Sequence, residues 1–206
     1  MTVTEALQKR RATPSFDPTV KISQSELLKL IDTACLAPSS MNLQPWEFLI
    51  CMTDEDKARM QSVAMNQKKV SEASAVLAVV CNTKFPDHAN EIADSNIEKG
   101  YFPPERKEGF IDMAQSFNGN DLALREEAIR SCNLFSMAFM LAATEAGWDT
   151  APMGGFVAAD LSVEFGLPDS RFPILLIAIG KANPAVNILD RSRRFSATDL
   201  THVGKW

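Results

Sequence analysis

The chain has 206 residues, 46% of them hydrophobic and 23% charged, and carries a formal net charge of −5. That length supplies one sizeable core, so a single domain over 1–206 is expected. The mild acidity argues against the basic face that nucleic acid demands. No run approaches the roughly 20 apolar residues that cross a bilayer, and Met1 to Arg11 lacks the apolar centre of an export signal. A cytoplasmic protein without membrane or nucleic-acid partners is expected.

In chain order, Ser23 to Leu36 reads as an amphipathic helix. Ser23 and Glu26 have capping-box spacing, Leu27, Leu30, Ile31 and Ala34 share a face, and Pro38 prevents continuation. Trp46 to Met52 follows as a strand, and Thr53 with Asp56 starts a polar helix running to about Glu72. The valine-rich run Ala75 to Cys81 suits a strand covered on both faces. Asp87 to Lys99 is a weaker helix. Gly100 to Asn120, punctuated by glycine and proline among aromatics and charges, is either a mobile lid or a surface insertion with its aromatics packed down.

Asp121 to Ala146 is the longest helix, with Gly147 as its stop. Between Cys132 and Ala143 it is apolar almost all round, which places it centrally or in a subunit interface. Pro173 to Ile179 is a second fully buried strand, ended by Gly180. The tail from Asn183 to Trp206 is too polar for a core yet ends on an apolar residue, as a segment strapped to another subunit would. Helices and strands do not alternate evenly, so α+β is expected over a doubly wound sheet.

Most chemical signatures are missing. There is no G-x-G-x-x-G, no G-x-x-x-x-G-K-[ST] and no G-x-S-x-G. Cys35, Cys51, Cys81 and Cys132 each sit in an apolar run without a C-x-x-C pair, as buried thiols do; no metal site is expected. His88 and His202 are the two histidines, one in a polar helix and one in the tail. If the chain is an enzyme, a cofactor carries the reaction.

Four constellations remain. Arg10 and Arg11 end the first helix before Ala12, Thr13, Pro14 and Ser15, and Arg191, Arg193 and Arg194 form a second basic cluster. Arginine favours a helix C-terminus through the dipole alone. Yet two cationic segments are also what a phosphate dianion needs, since guanidiniums grip it bidentately. Pro38-Ser39-Ser40-Met41-Asn42-Leu43-Gln44-Pro45 concentrates hydroxyls and amides between a helix and a strand; it suits an ordered turn, or recognition of a polar heterocycle. Pro152-Met153-Gly154-Gly155 holds a glycine pair that is either a hairpin turn or a backbone able to lie flat against a planar ring.

Taken in order, these motifs resemble the FMN-dependent nitroreductase family: Arg10-Arg11 with Phe16-Asp17, the Pro38 to Trp46 segment, Asn66 and Lys69 before Ala73-Ser74, Pro152 to Phe156, and the arginine tail. The likeness runs from the first helix to the tail. It implies an α+β nitroreductase-like fold, a mostly antiparallel central sheet flanked by helices, in an intertwined homodimer. The arm 183–206 would lie on the partner subunit and about 100–120 would form the lid.

The resemblance also implies tightly bound, non-covalent FMN. Arg10, Arg191 and Arg193 would hold its phosphate, and Arg11, Ala12 and Pro14 would line the ribityl chain and ring. Pro38, Ser39, Ser40 and Asn42 would come from the partner subunit; Gln44, Asn66 and Lys69 would face the polar edge of the ring. Pro152, Met153, Gly154 and Gly155 would pack on one face, with a backbone N–H reaching N5. NAD(P)H would be the co-substrate, and nitroaromatics, quinones or similar small acceptors would follow it into one site by a ping-pong mechanism. Lys69 would give electrostatic support, and no protein acid or base is required.

Phe110 and Phe117 are candidate stacking residues for the acceptor. Pro14 stands where many members carry a basic residue, and Gly154 where some carry glutamate. The alternatives are a flavin-binding sensor or store without turnover, or a specialised dehalogenase, enoate reductase or semialdehyde reductase.

Overall fold

The structure is a computed structural model describing residues 1–206. In chain order it comprises α1 (Val3–Lys9), α2 (Gln24–Ala34), β1 (Trp46–Cys51), α3 (Asp54–Val63), α4 (Lys68–Glu72), β2 (Ala75–Asn82) and α5 (Ala89–Glu98). There follow α6 (Lys107–Gln115), α7 (Asp121–Glu145), β3 (Asp149–Met153), α8 (Ala158–Glu164), β4 (Arg171–Gly180) and α9 (Ala197–Leu200). The strands form one sheet in the order β1-β2-β4-β3, antiparallel at every junction. The α+β expectation holds.

All eight residues of β2 are buried, and their period of two divides them between two cores. Ala75, Leu77, Val79 and Cys81 point into a cluster with α2 and α7. Val76, Ala78 and Val80 point into a second cluster with α3, α4 and α8. Helices therefore cover both faces, which is why β2 reads as a continuous apolar run instead of an alternating one. Within α7, Cys132, Phe135, Phe139, Met140 and Ala143 face the first core. Leu134, on the far side of the same helix, is 49% exposed.

Three expectations need refinement. The polar helix from Thr53 to Glu72 is two helices, broken at 64–67, where Met65 and Asn66 take left-handed φ values of 54° and 53°. No glycine or proline announces the break. The Val63 carbonyl is instead taken by the Val157 N–H at 3.0 Å, so α8 claims the bond that would have continued α3. The capping box of α2 is half made: Ser23 accepts from the Glu26 N–H, whereas the Glu26 carboxylate accepts from Trp148 Nε1 at 2.7 Å, because a buried indole N–H requires a partner. The 100–120 segment carries helix α6, tied down by Gln115 Nε2 donating to the Pro86 carbonyl at 3.1 Å.

Gly180 is fixed by a close approach. A Cβ there would lie 2.9 Å from Phe16 Cδ1 and 3.2 Å from the Ser74 nitrogen. Phe16, fully buried, thereby brings the segment after α1 against the end of β4 and the start of β2.

Candidate functional site

The segment Arg10–Phe16 is stitched along the outer side of β3. Ala12 bridges Thr150 and Phe16 bridges Ala182, and the Thr13 N–H donates to the Thr150 carbonyl at 3.0 Å. The chain leaving β4 returns over this segment. Arg191 Nη2 donates to the carbonyls of Leu7 at 2.8 Å, Gln8 at 3.2 Å and Arg10 at 2.8 Å. These include carbonyls that α1 leaves free at its C-terminal end, so the tail arginine completes the helix.

Between the two segments lies a cavity of about 370 Å³, with Arg10, Arg11, Ala12 and Pro14 on one side and Asn187–Ser192 with Arg194 on the other. Four guanidiniums converge on it, and none is in an ion pair with a carboxylate: the salt bridges of the chain lie elsewhere. Partial burial, then the like charges of Arg194 and Arg11, hold the Arg10 guanidinium below its ordinary range. Arg191 is lowered in the same way, by desolvation and then by Arg11, Arg194 and Arg10. Such crowding of like charges is unfavourable by itself and is relieved by an anion.

The second part of the site lies where β3 ends. Gly154 and Gly155 follow Met153 directly, and their carbonyls are both engaged: Gly154 accepts from the Phe156 N–H at 3.1 Å, Gly155 from Gln67 Nε2 at 2.9 Å. Their own N–H groups have no partner in the chain. The hairpin-turn alternative fails, because α8 intervenes before β4. Gln67 brings with it Asn66 and Lys69, the latter half-buried and free of any ion pair. A bond from the Phe16 N–H to Glu72 Oε2 at 3.2 Å ties the far end of α4 to the arginine segment.

With this geometry in view, the comparisons decide the family. The family model for the nitroreductase family matches residues 7–181. The chain belongs to the nitroreductase family. Among its relatives, the Bacillus subtilis protein YdgI is 37% identical over 182 residues, covering 86% of this chain and 87% of YdgI. An oxygen-insensitive NAD(P)H nitroreductase of Salmonella typhimurium is 30% identical, with 85% of each chain covered. Among solved structures, a nitroreductase-type protein of Exiguobacterium sibiricum in complex with FMN is 34% identical with a TM-score of 0.88, covering 98% of this chain and 97% of that one.

Not every nitroreductase motif read from the sequence gathers at this site. Pro38, Ser39, Ser40, Asn42 and Gln44 precede β1, where Ser39 Oγ accepts from the Gln44 N–H at 3.0 Å and Met41, Asn42 and Gln44 have positive φ. Trp46, at the start of β1, pairs with Cys81 at the end of β2. The arginine segment lies by Ser74 and Gly180, at the other end of the sheet. Seven residue steps along β2 make that separation about 23 Å, and β1 and β3 are opposite edges, three strand spacings or about 14 Å apart.

Arg193 lies with its guanidinium 4.9 Å from the Phe195 ring centre and outside the cavity. Phe117 packs on Phe85 at the edge of the core. Phe110 lies beside Phe102 and lines a second hollow of about 440 Å³ with Tyr101 and Met113.

Sequence reasoning placed Arg194 in the tail cluster but gave the phosphate to Arg193, and it missed Gln67 and the contact made by His88. His88 Nδ1 lies 2.8 Å from the Leu43 carbonyl, fixing the loop before β1. Arg194 had a signal, since it adjoins Arg193; which of two neighbouring arginines faces inward depends on how the tail turns. Gln67 had none beyond its place between Asn66 and Lys69.

Proposed function

We propose that the chain is an FMN-dependent NAD(P)H oxidoreductase that reduces nitroaromatics, quinones or similar small acceptors, working as a homodimer. The observation that carries this reading is the cluster of Arg10, Arg11, Arg191 and Arg194 around one cavity without a carboxylate counter-ion in any ion pair. The donor set fits FMN on chemical grounds. Guanidiniums match a phosphate dianion, and the Gly154 and Gly155 N–H groups are free to meet a ring acceptor. Arg10 and Arg194 would hold the phosphate. Arg191, anchored on the end of α1, would orient it.

FMN, when bound, supplies two-electron chemistry between NAD(P)H and the acceptor. The chain's part is electrostatic. One ammonium about 4 Å from the negative charge that reduction brings is worth on the order of 4 kcal/mol at a protein-like dielectric; Lys69, without a competing carboxylate, is the residue for it. None of the residues here needs to act as proton donor for that step, in keeping with the absence of histidine from the cluster.

The dimer is supported by what one chain leaves open. The donor loop 38–44 lies across the sheet from the arginine cavity, a gap too wide for one small cofactor to bridge. The outer edge of β1 is unpaired, Leu134 is open on α7, and Val203 and Trp206 of the tail are 92% and 98% exposed. A second copy would cover these and bring its own 38–44 loop to the cavity.

The test is the absorption spectrum of the purified protein before and after anaerobic NADH or NADPH. A flavin band that bleaches, and returns on adding a nitroaromatic or quinone, supports the enzyme. A band that persists indicates a binding module without turnover. No flavin after adding FMN overturns the reading.

A further inference from the structure

Gln67 is the residue before α4, a position where a short side chain ordinarily accepts from the first N–H groups of the helix. Gln67 makes no such cap. Its side chain turns the other way and donates from Nε2 to the Ala64 carbonyl at 3.2 Å and the Gly155 carbonyl at 2.9 Å. Both partners are carbonyl oxygens, so the amide nitrogen, and not the oxygen, must face them. The residue is reached through two consecutive left-handed residues, Met65 and Asn66, a conformation that side chains disfavour and that persists where surrounding contacts impose it.

The consequence falls on the glycine pair. Gly154 O is occupied by the Phe156 N–H and Gly155 O by Gln67, whereas the N–H groups of Gly154 and Gly155 have no partner in the chain. A Cβ on Gly155 would lie 3.4 Å from Gln67 Nε2 and 3.6 Å from Met65 Sδ, ordinary contact distances, so it is the hydrogen bond and not the lack of a side chain that holds the amide there. The Gly155–Phe156 peptide also carries the Phe156 N–H that holds Gly154 O, so without the Gln67 bond it loses one of its two restraints and the Gly154–Gly155 peptide loosens with it.

We propose that Gln67 is a positioning residue for the redox step: through the Gly155 carbonyl and the Phe156 N–H, its amide fixes the Gly154–Gly155 peptide so that the Gly155 N–H faces the bound cofactor. This rests on the FMN reading above. Donors aimed where negative charge arrives stabilise the reduced form more than the oxidised one. Loss of their alignment therefore makes reduction harder without touching the phosphate grip.

The experiment compares the parent with Gln67→Leu, which keeps the bulk but not the donor, and with Gln67→Glu, which sets an oxygen against both carbonyls. A third variant, Gln67→Met, keeps the unbranched shape of the side chain without a donor. Each is loaded with FMN, and three quantities are read: the FMN dissociation constant, the midpoint potential, and the rate of reduction by NAD(P)H in stopped flow. In the Gln67 variants the dissociation constant is expected to stay within about threefold. The reduced-to-oxidised ratio at fixed poise is expected to fall about tenfold, or about 30 mV for a two-electron couple, with a parallel loss of rate.

A Gln67 variant that folds, binds FMN and keeps the parent's potential and rate overturns the inference alone. If neither the Leu nor the Glu variant folds, Gln67→Met decides in the same way. A parent that binds no FMN overturns the cofactor reading and this inference with it.

Discussion

Which arginines hold a phosphate is open to direct measurement. Replacing Arg10 by Ala removes a half-buried guanidinium from the cavity that Arg11, Arg191 and Arg194 also line. A charge-assisted hydrogen bond to a phosphate is worth about 1.5–3 kcal/mol. The larger Coulomb figure of about 4 kcal/mol per unit charge at 4 Å is screened here by solvent on the open side of the cavity, and is partly offset because the loss of Arg10 relieves its crowding by Arg194 and Arg11. The dissociation constant for FMN should therefore rise about 10- to 100-fold, at 1.4 kcal/mol per factor of ten. Arg194→Ala should do the same. Arg193→Ala, whose guanidinium lies on Phe195, should change it by less than about threefold, the surface-charge range.

The assay is quenching of FMN fluorescence by the apoprotein, repeated with riboflavin, which has the ring but no phosphate. Riboflavin binding should be indifferent to all three substitutions, and FMN binding to the parent should weaken with salt more than riboflavin binding does. The reasoning is refuted if Arg193→Ala costs more than Arg194→Ala, or if riboflavin loses as much affinity as FMN.

Two further outcomes concern stability. Lys57 is 1% exposed and its ammonium bonds the carbonyls of Ser71 and Ala73 at 3.1 and 3.0 Å and Asp54 Oδ1 at 3.0 Å. Lys57→Met keeps the stem and strands the two carbonyls, so about 3 kcal/mol should be lost, a fall in Tm of about 6–12 °C; a fall under 3 °C would count against this account. The second concerns alkaline pH. Burial, then Asp56, pushes the Cys51 thiol up to about 12, so above about pH 8.5 the unfolded chain releases a proton that the folded chain keeps. Stability should then fall by up to about 1.4 kcal/mol per pH unit from this thiol, and denaturant titrations should show a shallower loss in Cys51→Ala.

Much of the fold was legible because it rests on local patterns. The helix of α2 follows from Ser23, the Leu27-Leu30-Ile31-Ala34 stripe and Pro38; α7 follows from its length and Gly147, whose φ of 82° only glycine takes at little cost. The unbroken apolar run of β2 told correctly that both faces are covered. The family was legible too, because its motifs are short and stand in order.

What the tertiary structure alone decided are the partners of single groups. The α3–α4 break has no breaker residue; it exists because α8, nearly a hundred residues on, takes the Val63 carbonyl. Glu26 left its capping role because Trp148 needed an acceptor. Arg194 instead of Arg193 lines the cavity because the tail is pinned by Arg191 on α1. Gln67 finds Gly155 only because the turn between α3 and α4 meets the turn that follows β3. Periodicity and capping report on neighbours within about four residues. A hydrogen bond across the sheet is chosen by packing, which no local pattern encodes.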